Sequence, residues 1–158
     1  MEYVQLKNDS VFKIGIRNAE GKDTGEYIEI DLEDIELPLK AQQCYEENKN
    51  NYNWIKAQFL IIDKRQDKKG KKLLSANEEA KIKALSEFYK RQENAWDLFL
   101  GEGAIKKILC GRKPYFTLFE ELDEQLSKLM PKFKEKTTTI EEKIKAKYGK
   151  NIENDVMK

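Results

Sequence analysis

The 158-residue chain contains no histidine. That removes Ser-His-Asp and Cys-His nucleophilic arrangements, His-ligated metal sites and the commonest general base. Its two cysteines, Cys44 and Cys110, are too few for a disulfide framework and, without histidine, for a structural zinc site. Both fall in helical patterns and are expected as buried free thiols in a reducing cytosol. No run of about 18 apolar residues occurs, so no membrane span is expected. Met1-Glu2-Tyr3-Val4-Gln5 does not read as a secretory signal. An excess of one charge is missing too: 30 Lys and Arg against 29 Asp and Glu leave a formal net charge of +1. A polyanion-binding protein is usually distinctly basic, so nucleic acid is a disfavoured partner. Apolar content is low, at 39% against 37% charged, which suits an elongated or helix-rich chain, or one with a solvated tail.

Residues 11–32 read as a β-hairpin. Phe12, Ile14 and Ile16 alternate with Lys13, Gly15 and Arg17, and Ile28, Ile30 and Leu32 alternate with Glu29 and Asp31, the period of a half-buried strand. Asn18-Ala19-Glu20-Gly21-Lys22-Asp23-Thr24-Gly25 supplies the turn formers between them. Two strands alone are marginal in water, and Tyr3-Val4-Gln5-Leu6 is a candidate third strand. From Pro38 the period changes to that of a helix. Pro38 suits a first helical position, and Tyr45, Tyr52, Ile55, Phe59 and Ile62, widened by Trp54, Leu60 and Ile61, predict a broad core-facing stripe over 38–66. Ser75-Ala76-Asn77-Glu78 fits a capping box for a second helix over 76–100, with Leu85, Phe88, Ala95 and Phe99 on its apolar face. The short link implies antiparallel packing of the two. Gly101 and Gly103 permit a sharp corner, and a short helix over 103–110 ends at Gly111. Pro114 is expected to open a last long helix over 114–130, carrying Tyr115, Phe119, Leu122, Leu126, Leu129 and Phe133, which Pro131 should stop or kink. Thr138-Thr139-Ile140-Glu141 could cap one more short helix. The fold class is therefore α+β, mostly α: an N-terminal hairpin on an antiparallel helical bundle. One domain over 1–135 is followed by a helical or disordered tail over 136–158.

No motif identifies a reaction. The carboxylates Glu29, Asp31, Glu33, Asp34 and Glu36 match no calcium loop and read as a solvated strand edge and linker. Lys64, Arg65, Lys68, Lys69, Lys71 and Lys72 form the strongest basic run, but Asp63 and Asp67 interrupt it and no aromatic is interleaved for base stacking. Gly101-Glu102-Gly103 follows a helix rather than a strand and carries an acid where a phosphate would sit, so it reads as a helix corner. Neither a metal nor a cofactor is implied. Tyr115, Phe116 and Phe119 serve as core or as a partner-binding face.

The stretch Asp97-Leu98-Phe99-Leu100-Gly101-Glu102-Gly103-Ala104-Ile105-Lys106-Lys107-Ile108-Leu109-Cys110-Gly111 resembles the tail assembly chaperones of long-tailed phages and prophages of low-GC Gram-positive bacteria. In that family an acidic-aromatic lead-in precedes a Gly-Glu-Gly segment, a short Lys-containing helix ending in Gly, and a long helix with an aromatic and leucine stripe. The motif covers about one tenth of the chain, and the architectural likeness spans residues 11–130. The resemblance implies a non-enzymatic, cytoplasmic protein of the bacterial host cell that binds the tape measure protein and the tail tube protein during assembly. It also raises a frameshifted longer product and leaves self-association open. Partner binding is expected at Phe99, Leu100, Gly101, Gly103, Tyr115, Phe116 and Phe119. The alternatives are a virion structural protein, such as a head–tail adaptor or tail terminator, and a small helical regulatory or nucleic-acid-binding protein.

Overall fold

Alternating β-branched and charged residues build the first two elements. In the computed structural model, which describes residues 1–7 and 9–149, strands β1 (Val11–Arg17) and β2 (Asp23–Asp31) form an antiparallel hairpin. Its register sets Phe12 opposite Ile30 and Ile14 opposite Ile28. Phe12, Ile16, Ile28, Ile30 and Leu32 are all buried, so one face of the hairpin is core. Four helices follow among the described residues: α1 (Leu37–Asp63), α2 (Ala76–Leu100), α3 (Ala104–Leu109) and α4 (Leu118–Ile144), with a π-helical turn over Lys145–Gly149. The α+β, mostly α class stands. Residues 1–7 form no third strand; the hairpin finds its support on α3, the end of α2 and α4 instead. No helix among the described residues is long and apolar enough to cross a membrane.

The core lies at one end of the molecule. Leu100, Ala104, Ile105 and Leu109 pack against the hairpin's apolar face, and Leu118, Phe119 and Leu122 close over them. Phe133, further along α4, contacts both Phe12 and Phe99 edge-on, with ring centroids 6.1 and 5.7 Å apart. Such contacts are worth about 0.5–1.5 kcal/mol beyond the area they bury.

Helix α4 differs from its sequence reading at both ends. Pro114 does not open it: a turn closed by Leu118 N–H donating to the Tyr115 carbonyl at 3.0 Å comes first, and Thr117 is the N-cap. Nor does Pro131 stop it, since the helix runs on to Ile144. Pro131 lies on the exposed face, where water can meet the carbonyl its ring leaves unpaired. Thr138 and Thr139, which resembled a cap, are interior to α4. Thr137 and Thr139 donate their hydroxyls to the carbonyls of Phe133 and Glu135, at 2.8 and 3.1 Å, the back-bonding of helix-interior threonine. Helix α4 thus crosses the expected boundary at residue 135, and its Ile140 packs on the core.

Helices α1 and α2 form an antiparallel hairpin linked by residues 64–75. Asn77 ties the two ends together, its amide donating to the carbonyls of Ile62 and Arg65, both at 3.1 Å. The Ser75 hydroxyl accepts the Glu78 N–H at 3.1 Å, the first half of the expected capping box. The broad stripe expected on α1 is a narrow seam. Within the helix only Leu37, Cys44, Asn51, Ile55 and Ile62 are buried, spaced by seven, seven, four and seven. This is the coiled-coil spacing of a helix with one neighbour. Leu60 and Ile61, like Tyr45 and Tyr52, stay exposed because no second layer covers α1.

At the middle of the seam the buried Asn51 amide donates to the Gln92 carbonyl oxygen at 2.8 Å. A polar pair in an apolar seam fixes register, because any slip leaves both groups dry and unpaired. Asn51→Ala should therefore cost about 1–3 kcal/mol in urea unfolding, and Asn51→Leu combined with Gln92→Leu should recover most of that loss. A double mutant no more stable than the single would refute this account.

The two cysteines separate, contrary to the expectation that both are buried. Cys44 is in the seam, where burial pushes its thiol up to about 11. Cys110 is exposed beyond α3. Thiolate is the reactive form, so a disulfide-exchange reagent at pH 8 should titrate one thiol quickly in native protein and two in denaturant. Two fast thiols under native conditions would refute the assignment.

Candidate partner-binding site

Glycine permits the corner at the end of α2. Gly101 has φ 110° and Gly103 φ 75°, values that an L side chain adopts at a cost. Between them Glu102 projects into solvent. The carboxylate of Asp97, one turn back on α2, spans the corner: one oxygen accepts the Gly103 N–H at 3.2 Å and the other the Ile105 N–H at 3.0 Å. Two amides at the start of α3 are thereby satisfied by the chain's own anion, which is what a phosphate would need to displace. The Asp97 carbonyl also accepts the Gly101 N–H at 2.9 Å. At the far end of α3, Cys110 (φ 52°) and Gly111 (φ 79°) are both left-handed and turn the chain toward α4.

The seven residues expected to bind partners do not form one surface. Leu100 and Phe119 are buried at 2% and 7% exposure, so they hold the core together and are corrected from contact residues to structural ones. Gly101 and Gly103 act through their backbone. Phe99 is half-buried against Phe133. Tyr115 is half-buried too: the Arg112 guanidinium lies 3.9 Å over its ring, and its hydroxyl donates to Glu121. That hydrogen bond to the carboxylate holds the phenol above its usual range. Phe116 alone stands out, 79% exposed.

Phe116 ends an aromatic path that the sequence did not reveal. Its carbonyl accepts the Tyr89 hydroxyl at 2.6 Å. Tyr89 stacks on Phe119 at 5.5 Å and meets Phe88 edge-on at 5.8 Å, and Phe88 in turn meets Tyr52 at 5.2 Å. Burial raises the Tyr89 phenol above its ordinary range. The path runs through buried Phe119 and Phe88 and half-buried Tyr89 and is open at its ends: at Phe116, just ahead of α4, and on α1, where Tyr52 is 45% and Tyr45 70% exposed. Tyr45, Tyr52 and Phe59 follow one another at intervals of seven and share one flank of that helix. On the other flank Trp54 is covered by the Arg91 guanidinium at 4.0 Å. The seven-residue spacing was the available signal, but it reads equally well as core.

The other sequence clusters do local work. Asp31 and Asp34 carboxylates accept the N–H groups of Glu33 and Glu36, both at 2.9 Å, and Asp34 pairs with Lys40 at 2.6 Å. That lysine holds the Asp34 carboxyl below its usual range. Among the described residues no three His, Cys, Asp or Glu side chains converge as a metal site would require. The basic run of residues 64–72 is wholly exposed in the α1–α2 link.

No protein-family model, curated protein or solved structure matches this chain. The resemblance at the glycine corner therefore rests on the residues themselves.

An added Cβ at Gly103 would meet nothing within 4 Å, so any penalty there is backbone strain alone. Gly103→Val is expected to lower stability by about 1–3 kcal/mol and Gly103→Asn by less, since asparagine tolerates the left-handed region. Equal melting temperatures for wild type and the valine variant would count against the corner geometry.

Proposed function

We propose that this protein is a non-enzymatic tail assembly chaperone of a long-tailed phage or prophage, acting in the cytoplasm of the bacterial host. In this role it holds the tape measure protein, and the tail tube protein, until the tube is built. The observation that carries this reading is the set of exposed aromatic rings Phe116, Tyr52 and Tyr45, of which the first two are linked through Tyr89 and Phe88. A chaperone for a long helical client needs apolar anchors at helical spacing rather than a pocket with converging catalytic groups. Aromatic side chains give large contact area with few rotors to immobilise. The balanced and abundant charge elsewhere keeps such a complex dispersed.

Co-expression with the cognate tape measure protein should raise the soluble yield of that protein. Phe116→Asp should abolish the gain while leaving the circular dichroism and melting temperature of the chaperone unchanged, because a side chain 79% exposed contributes little to the core. Tyr45→Asp should weaken the effect by extending the same disruption to α1. No gain with the wild-type protein would sink the function; a gain that survives both substitutions would sink the site.

A further inference from the structure

Two parts of the fold are each incomplete in a way the other would satisfy. The first is the outer edge of β2. The sheet has two strands, so this edge has no strand neighbour among the described residues. It opens into a groove of about 570 Å³ lined on one side by residues 25–29 and on the other by the corner and α3, from Leu100 to Lys107. Successive strand side chains point to opposite faces. Five consecutive residues can line one groove only if the strand presents its edge, with its backbone N–H and C=O groups. The groove continues as a cavity of about 440 Å³ past Glu26 to Lys106, Cys110 and Gly111.

The second is the segment of residues 1–7. It has no regular structure and is exposed throughout. Met1, Tyr3, Val4 and Leu6 are between 84% and 104% exposed. Four large apolar side chains in seven residues, two of them with high strand propensity, make a strand without a sheet.

We propose that residues 1–7 of one copy add as a strand to the free edge of β2 in a second copy, and reciprocally, giving a two-fold dimer by arm exchange. Strand addition supplies main-chain hydrogen bonds, and alternate side chains supply specificity. Glu2, Val4 and Leu6 fall on one face of the added strand. With Glu2 at the end of the groove where Lys106 and Lys107 stand beside Glu26, Lys7 comes to the end that holds Glu29. The arm does not lie in its own groove, since residues 1–7 are exposed throughout. Ser10 is held on the β1 side, its carbonyl accepting the Leu32 N–H at 2.9 Å and its hydroxyl donating to Glu33 at 3.2 Å. Reciprocal exchange satisfies both copies with one two-fold operation.

The test is the mass of the full chain in solution by light scattering and sedimentation equilibrium. Twice the 18.6 kDa monomer is expected for wild type. Val4→Asp combined with Leu6→Asp, and separately deletion of residues 1–7, should give monomer with unchanged circular dichroism and melting temperature. Glu2→Cys, in a Cys44→Ser background, should form a disulfide with Cys110 that links a tagged to an untagged copy. A wild-type monomer at several hundred micromolar, a dimer that survives both arm variants, or a Glu2→Cys to Cys110 bond formed only within one chain would each overturn the proposal.

Discussion

The Asp97 carboxylate stands where one helix must stop and the next begin, and most of the buried core depends on that junction. A helix leaves its first amides without partners, and a six-residue helix such as α3 has too few internal hydrogen bonds to absorb that loss. Asp97 supplies the missing acceptors from the end of α2, so the orientation of α3 is fixed relative to α2 rather than left to packing alone. The consequence is positional. Leu100 lies before the corner and Ala104 and Ile105 after it, at 2%, 3% and 0% exposure, and together they form the floor on which the β-hairpin rests. A two-stranded hairpin cannot stand alone. The carboxylate that orders α3 thereby also orders the sheet.

Beyond this floor the molecule changes character. The α1–α2 hairpin is one seam wide, and its stability comes from a row of side chains with a hydrogen-bonded amide pair in the middle. Where a core of several layers would bury Tyr45, Tyr52, Leu60 and Ile61, a single seam leaves them to solvent. The exposed aromatic flank is thus a geometric result of having one neighbour instead of two. Tyr89 connects the two regions: its ring stacks on Phe119 of the core, its edge meets Phe88 of the seam, and its hydroxyl holds the carbonyl of Phe116.

How much of this could be read beforehand depended on whether the deciding interaction was local. The hairpin strands were legible because period-2 alternation is a statement about two faces, and both faces exist. The glycine corner was legible because positive φ favours one residue type. Helix boundaries at α2 and α3 fell within a residue or so of expectation, since Ser75 and the glycines act within a turn. The width of the α1 stripe was not legible. Periodicity marks the apolar positions but cannot say whether anything lies opposite them, and it gives no sign that Asn51, a polar residue, holds a seam position. Pro131 and the threonines after it misled for a related reason. A proline on a solvated face and a threonine bonded back to its own helix leave the helix intact, and which face is solvated is decided by Phe12, more than a hundred residues away. At the candidate site the same limit applied: Phe99, Leu100, Phe116 and Phe119 look equivalent in a string, and only the fold separates the buried from the free.

On the two proposals made above, the exposed aromatic rings and the open strand edge would take different partners, because they offer different chemistry. A helix face offers side chains at intervals of three, four and seven, with its own backbone already hydrogen-bonded, so it selects a ligand by shape and apolar area. A strand edge offers unpaired N–H and C=O groups at regular spacing, so it selects an extended backbone and rejects a helix, whose amides are satisfied internally. A helical client laid on Tyr45, Tyr52 and Phe116 therefore has nothing to offer the groove beside β2. An extended arm placed there leaves those aromatic rings uncovered. Self-association through the edge and client binding through the flank are separate equilibria on this reading, and occupying one does not consume the chemistry of the other.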